Sequence, residues 1–295
     1  MQNDTLNVTP VHETHNTVDR RSNISRKELI KEYVEHSIPV ILTDAAKDWS
    51  AMGKLTPDFF LKNYPNLSKE VKGKTYKMSD FIPLMLSSTP DNPSPYPFSF
   101  NIESYCPELL GDVKPEIIYG KCDRVNHPLV PRFMLYGTEV YEVFLGGNGS
   151  SFPKLHIDAL FLHNQSTMVY GSKEFIMFSP DQVNYLYPSE NAPKFSQIDV
   201  LNPDYDKFPL YREAKPIRVT LHEGETLIFP TGWWHTTLIH EPCISIGRIH
   251  LNAANWDRYI KDESFIWKQR SSFMALAVRL YGGVLGKVLN LQEKF

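Results

Sequence analysis

The sequence predicts a mainly β fold with flanking helices, its core a double-stranded β-helix or jelly roll. Three observations carry that expectation. Short apolar, β-branched runs crowd the stretch from Arg132 to Leu251, turn formers separate them, and helical periodicity is confined to the two ends of the chain. At 295 residues the chain is long enough for one large core with helical additions rather than a string of modules.

Residues 1–22 read as a flexible N-terminal lead-in. Ser25 then stands three residues before Glu28, the spacing of a capping box, ahead of Leu29, Ile30, Tyr33 and Val34, so a helix is expected to start there. The β-branched segment 38–42 suits a buried strand. Thr56 and Pro57 open a second helix, with Phe59, Phe60 and Leu61 as its apolar face. Four prolines between Ser87 and Pro97 forbid a regular element, leaving a loop that can rim a site.

The strand candidates follow: FMLY at 133–136, YEVFL at 141–145, MVYGSKEFIMF at 168–178, IRVTL at 217–221, ETLIFP at 225–230 and CISIGRIHL at 243–251. Turn formers between them include Gly146-Gly147-Asn148-Gly149, Ser179-Pro180-Asp181 and His222-Glu223-Gly224-Glu225. A barrel of this kind has an open mouth in which a metal can sit. Near the C-terminus Phe273, Leu276, Leu280, Val284 and Val288 share one helical face, and Gly282-Gly283 is expected to bend or break the helix. That face suits packing against the barrel; contact between two copies of the chain is the alternative.

Composition narrows the function classes. A formal net charge of -3 gives no broad attraction to a polyanion, which disfavours nucleic acid as a partner. Cys106, Cys122 and Cys243 are widely spaced and odd in number, unlike a disulfide framework or zinc ribbon, and a reducing compartment fits. The polar start lacks the apolar core of a secretory signal. Arg279 and Lys287 interrupt the apolar tail, so no membrane segment and a cytoplasmic location are expected.

The chemistry concentrates in two motifs. KLHIDAL places His156 and Asp158 two residues apart, on one face if the backbone is a strand, and IFPTGWWHTT offers His235 79 residues further on. Two imidazoles and a carboxylate form the facial triad that holds non-haem iron(II) and leaves three coordination positions open. Taken alone, a His-x-Asp arises by chance. The preceding Gly-rich turn, a lysine 17 residues on and the Trp-Trp-His after a Gly-Glu turn give it weight. Lys173 lies in an apolar run where an inward ammonium needs an anionic partner, such as the distal carboxylate of a dicarboxylate cosubstrate. The plain alternative is a solvent-facing lysine. Of Trp233 and Trp234, one is read as core and one as pocket wall. His163, His222, His240 and His250 are read as structural or exposed, with His163 the strongest exception because it lies between the ligands and Lys173.

The run LHIDALFLHNQSTMVYGSKEFIMFSPDQVNYLYP through NPDYDKFP to LHEGETLIFPTGWWHTT, with the earlier IPVILTDAAKDWSAMGKLTPDFF, resembles the Jumonji C (cupin-like) hydroxylases. It is most similar to the branch containing the asparaginyl hydroxylase that inhibits the hypoxia-inducible factor. The resemblance covers residues 23–256, implying a catalytic domain over that range and a C-terminal helical extension over 257–295. It implies Fe(II) held by His156, Asp158 and His235, and 2-oxoglutarate whose C5 carboxylate binds Lys173. Asn164 would contact the cosubstrate, with Ser166 or Thr167 able to serve instead. The implied reaction consumes O2 and 2-oxoglutarate, releases succinate and carbon dioxide, and hydroxylates a substrate C–H.

Two positions depart from that branch. Lys194-Phe195 precedes Ser196-Gln197-Ile198-Asp199 where an Arg-Gln pair engages substrate in the asparaginyl hydroxylase, which argues against asparagine as the target. Ile249 stands where the last strand usually offers an asparagine. The leading expectation is hydroxylation of a protein or peptide side chain. The alternatives are a biosynthetic hydroxylase of a free amino acid, natural product or RNA base, and a non-catalytic metal-binding cupin. Lysine demethylation is disfavoured, because the short chain adds no histone-reading module.

Overall fold

The computed structural model describes residues 17–135 and 141–293. Ser25 caps the first helix as its spacing predicts: Glu28 N donates to Ser25 Oγ at 3.3 Å, and Ser25 N donates to Glu28 Oε2 at 2.9 Å. This helix, α1 (Arg26–Leu29), continues as a π-helical turn over Ile30–Val34 and buries Leu29, Tyr33 and Val34. Before it, β1 (Asp19–Arg21) pairs in parallel with β2 (Val40–Leu42). The lead-in expected over 1–22 therefore gives way to an edge strand at Asp19, and residues 1–16 of it lie outside the described residues.

Thr56 caps α2 (Pro57–Asn63), with Pro57 in the first turn where its missing N–H costs nothing. A small hairpin, β3 (Ser68–Val71) and β4 (Lys74–Lys77), leads into α3 (Met78–Leu86). The proline-rich loop then runs to β5 (Phe98–Asn101), and α4 (Ile102–Tyr105) follows.

The remaining strands are β6 (Tyr141–Gly146), β7 (His163–Tyr170), β8 (Lys173–Phe178), β9 (Ile217–Leu221), β10 (Thr226–Phe229), β11 (Trp234–Leu238) and β12 (Cys243–His250). They form a seven-stranded sheet in the order β1-β2-β10-β7-β12-β6-β5, and a three-stranded sheet in the order β11-β8-β9. Between the sheets lie Met168, Phe175, Met177, Leu227 and Phe229; the other face of the larger sheet buries Val143, Ile228, Ile244 and Ile246 against α2 and α3. This is the cupin-like jelly roll with flanking helices that the strand pattern predicts.

Two sequence expectations change here. The described residues of the run at 133–136 are not a strand: Arg132–Leu135 is a 3-10 turn opened by Pro131, Tyr136 lies outside the described residues, and Met134 packs under the C-terminal helices, its carbonyl accepting from Tyr259. The run at 168–178 is two strands joined at Gly171, whose φ of +68° a side chain would strain.

The C-terminal pair, α5 (Trp256–Lys268) and α6 (Ser272–Gln292), reverses the expected packing. The stripe Phe273, Leu276, Leu280, Val284 and Val288 faces outward, Phe273 being 77% exposed. The buried face is Ala275, Val278, Gly282, Leu285, Gly286 and Leu289. Gly282 and Gly286 do not break the helix; they admit α5, since a Cβ would lie 2.5 Å from Ile260 Cδ1 at the first and 2.4 Å from Trp256 Nε1 at the second. By length and composition α6 is long and apolar enough to cross a membrane, which the search for an uninterrupted apolar run missed.

Candidate active site

His156 and His235 face each other across a single antiparallel bridge, His156 N donating to His235 O at 3.0 Å and His235 N to His156 O at 2.8 Å. Such a pair sets its two side chains on one face, and the imidazole centroids lie 4.4 Å apart. His235 sits on β11, locked opposite Met177 of β8. Around His156 the extended backbone makes only isolated bridges, to His235 and to Phe195, a shorter strand than the sequence pattern implied. Asp158 ends the segment as the N-cap of a 3-10 turn, Ala159–Phe161.

Each Nδ1 has a backbone carbonyl partner: Lys154 O at 3.0 Å from His156 and Trp233 O at 3.1 Å from His235. Those carbonyls place the ring proton on Nδ1 and leave both Nε2 lone pairs free. Both Nε2 atoms point at Asp158, 3.7 Å from Oδ1 for His156 and 3.7 Å from Oδ2 for His235. The three ligand atoms lie within 4.8 Å of one another, a span one ion can bridge. Burial, and after it the charge of His235, pushes His156 down to about 4, so its imidazole is neutral at pH 7.

Asn164 Nδ2 donates to Asp158 Oδ2 at 2.9 Å, which orients the carboxylate. The Phe152 ring stacks on His156 at 4.5 Å, and Phe229 lies 4.6 Å from His235. These rings limit water around the donors.

A cavity of about 290 Å³ opens from the triad into the barrel, with Asn164, Ser166 and Lys173 on its wall. Lys173 is 4% exposed, so the solvent-facing alternative is excluded. Its Nζ donates to Ser245 Oγ at 2.7 Å and lies 5.6 Å and 5.3 Å from the Phe144 and Phe175 rings. Burial lowers its pKa, the mark of an ammonium whose surroundings undercompensate its charge.

Two sequence expectations are corrected, and the structural reading of His163 holds over its exception. Thr167 does not line the cavity: β7 alternates, and Thr167 faces away from Asn164 and Ser166, bonded to Thr226 Oγ1 at 2.9 Å. Neither Trp233 nor Trp234 is a pocket wall; both are buried, with Trp233 Nε1 donating to Ser37 O. His163 is structural, its Nδ1 accepting from Thr231 N at 3.0 Å. Sequence reading missed Ser245. The signal was present in CISIGRIHL, where alternation sets Ser245, Gly247 and Ile249 on one face, opposite Met168, Ser166 and Asn164 of β7.

Residues 63–248 match the profile of the cupin-like domain. The chain belongs to the cupin-like domain family. Among relatives of this cupin-like chain, the lysine-specific demethylase JMJ21 of Arabidopsis thaliana is 27% identical over 255 residues, 81% of this chain and 26% of the relative. The JmjC domain-containing protein D of Dictyostelium discoideum is 28% identical over 240 residues, 72% of this chain and 51% of the relative. The tRNA wybutosine-synthesizing protein 5 of Gallus gallus is 33% identical over 105 residues, 35% of this chain and 32% of the relative. The matched region thus spans about a quarter to a half of these relatives.

Proposed function

We propose that this chain is an Fe(II)- and 2-oxoglutarate-dependent oxygenase that hydroxylates a side chain of a protein or peptide in the cytoplasm. The observation that carries the reading is one cavity with a His-Asp-His donor set at its mouth and a buried, undercompensated lysine on its wall. His156, Asp158 and His235 fit a divalent iron ion, and bound iron with 2-oxoglutarate and O2 would supply the oxidant for a C–H bond. Lys173 and Ser245 would grip the distal carboxylate, Asn164 would hold Asp158, and the Phe152 and Phe229 rings would keep water from the donors.

A polypeptide substrate is favoured by a second, larger groove of about 660 Å³ that shares Phe152 and Thr236 with the cavity and runs along 151–155 and 195–202. We place the chain beside the asparaginyl hydroxylase branch by its motifs, with a different target residue. Phe195 stacks on His156 and stands 38% exposed beside the groove, an aromatic wall that cannot hydrogen-bond an amide. The relatives named for lysine demethylation and wybutosine synthesis make methyl-lysine and a tRNA base the competing targets. We also propose that the outward stripe of α6 is covered by a second copy of the chain, because its apolar centre is rimmed by exposed Arg279 and Lys287, the pattern of a protein contact rather than a lipid one.

The test is succinate formation from 2-oxoglutarate by the Fe(II)-loaded protein, with a peptide library, methyl-lysine peptides and tRNA as separate substrates. Turnover that requires Fe(II) and vanishes in His156→Ala and Lys173→Ala supports the oxygenase. Hydroxylated peptide identifies the substrate class; demethylation or tRNA oxidation replaces it. Absence of both turnover and 2-oxoglutarate binding leaves a metal-binding cupin.

A further inference from the structure

The turn that follows Asp158 is strained. Leu160 and Phe161 have φ of +57° and +51°, two consecutive non-glycine residues in the left-handed region, where a Cβ crowds the backbone. Such a conformation persists only where its surroundings enforce it, and relaxation of either residue would swing the chain entering from Asp158.

The enforcing contacts come from α5 and the residue that precedes it. Asn255, fully buried, donates from Nδ2 to Phe161 O at 3.0 Å and to His250 O at 3.0 Å, while its Oδ1 accepts from Asn252 N at 2.9 Å. Leu160 is buried among Trp256, Tyr259 and Ile260. From the other side, Lys194 Nζ lies 4.6 Å from the Phe161 ring and pairs with Asp262 Oδ2 of α5 at 2.6 Å. The Lys194 carbonyl accepts from Ile157 N at 2.9 Å, between the first two ligands. Every anchor of the segment 157–161 named here reaches α5, its N-cap or a residue salt-bridged to it.

We infer that α5 is a positioning element for the metal, holding the Asp158 carboxylate through Asn255, Leu160 and the Lys194–Asp262 pair. The inference rests on reading His156, Asp158 and His235 as a metal centre. It makes the C-terminal helices part of the site although they contribute no ligand, so metal affinity is coupled to their docking.

Cobalt(II) binding by the full-length chain, followed by calorimetry and by the ligand-field absorption spectrum, tests it. His156→Ala is the site control. Asn255→Asp keeps the shape but removes the donor, Asp262→Ala removes the ion pair, and Asp257→Asn makes a charge change on an exposed position of the same helix. The expected result is affinity at least tenfold weaker in Asn255→Asp and several-fold weaker in Asp262→Ala, as for other groups that orient a ligand. Both spectra would show an altered carboxylate, with thermal unfolding of apo Asp262→Ala little changed and Asp257→Asn indistinguishable from wild type. Wild-type affinity and spectrum in both Asn255→Asp and Asp262→Ala would overturn the positioning role and leave the metal centre standing. Failure of the wild type itself to bind cobalt(II) would overturn the centre and the inference together. If Asn255→Asp does not fold, the surface variant Asp262→Ala decides alone.

Discussion

Replacing Lys173 by methionine is expected to move cosubstrate binding and apo stability in opposite directions. In the apo protein the ammonium is 4% exposed and is offset by one hydroxyl at 2.7 Å and two ring faces at 5.6 and 5.3 Å. The hydrogen bond contributes about 1.5–3 kcal/mol and each ring about 1–2 kcal/mol, against a desolvation cost of several kcal/mol per ion. The lowered pKa says that the cost wins. Methionine matches the length of the stem without the charge, so the apo protein should gain about 1–3 kcal/mol in urea unfolding at pH 7. Because the lysine pKa is lowered in the folded state, the unfolded chain binds more protons as pH climbs toward 10.5, wild-type stability rises there, and the gap narrows. With 2-oxoglutarate the sign reverses. A buried carboxylate left without its ammonium loses roughly 3–5 kcal/mol, a Kd weaker by about two to four orders of magnitude in calorimetry. A variant that is less stable as apo protein and binds 2-oxoglutarate normally would refute both halves of the reasoning.

Glu263 in α5 is 1% exposed, its Oε2 has no hydrogen-bond partner among the described residues, and burial, with Asp262 nearby, pushes it up to about 7. The folded state therefore holds a proton that the unfolded state has released, and stability falls as pH rises from about 4.5 to above 7. Glu263→Gln should stabilise by about 2–3 kcal/mol at pH 8 and by little at pH 4.5; equal gains at both pH values in urea titrations would contradict this. Gly286→Ala puts a methyl 2.4 Å from Trp256 Nε1 and should cost about 1–3 kcal/mol despite its helix propensity, whereas Gly283→Ala meets nothing within 4 Å and should gain about 0.5–1 kcal/mol. Thermal melts that rank the two variants the other way would show that α5 and α6 pack differently. In light scattering, Leu280→Asp with Val284→Asp should convert a dimer of 34.0 kDa chains to monomers, and a monomeric wild type would remove the proposed contact.

The barrel was legible because period-2 alternation in YEVFL, IRVTL and CISIGRIHL survives in the structure as facing rows on β6, β9 and β12. The His156, Asp158 and His235 cluster was legible because the spacing in KLHIDAL and the turn before Trp-Trp-His are local features. What failed depended on long-range packing. The stripe Phe273 to Val288 is the more hydrophobic-looking face of α6, yet glycines allow closer approach than leucines do, and the buried face is the one carrying Gly282 and Gly286. Phe133 to Tyr136 reads as a strand in isolation, but Pro131 starts a turn, and Met134 is drawn under α5.

The misplacement of Thr167 points to how the site keeps its register. Facing away from Asn164 and Ser166, the Thr167 Oγ1 accepts from Gln165 Nε2 at 3.1 Å, Gln165 Oε1 lies 2.8 Å from His250 Nε2, and His250 Nδ1 lies 2.6 Å from Arg248 Nη1. Arg248 is charged, so its Nη1 donates; His250 Nδ1 must accept and Nε2 must donate, which fixes a neutral tautomer, in keeping with the strongly lowered pKa of this buried ring. Arg248 closes the chain on Asp123 at 2.6 Å and Glu116 at 3.1 Å. A slip of β7 by one residue would break the Gln165–His250 and Thr167–Thr226 bonds and leave buried donors unpaired, at about 1–3 kcal/mol apiece. The same slip would carry Asn164 and Ser166 out of the cavity. The Thr167 hydroxyl, which makes no contact with the cavity, thus helps specify which residues of β7 do, and a Thr167→Val substitution should loosen that choice while leaving every proposed ligand in place.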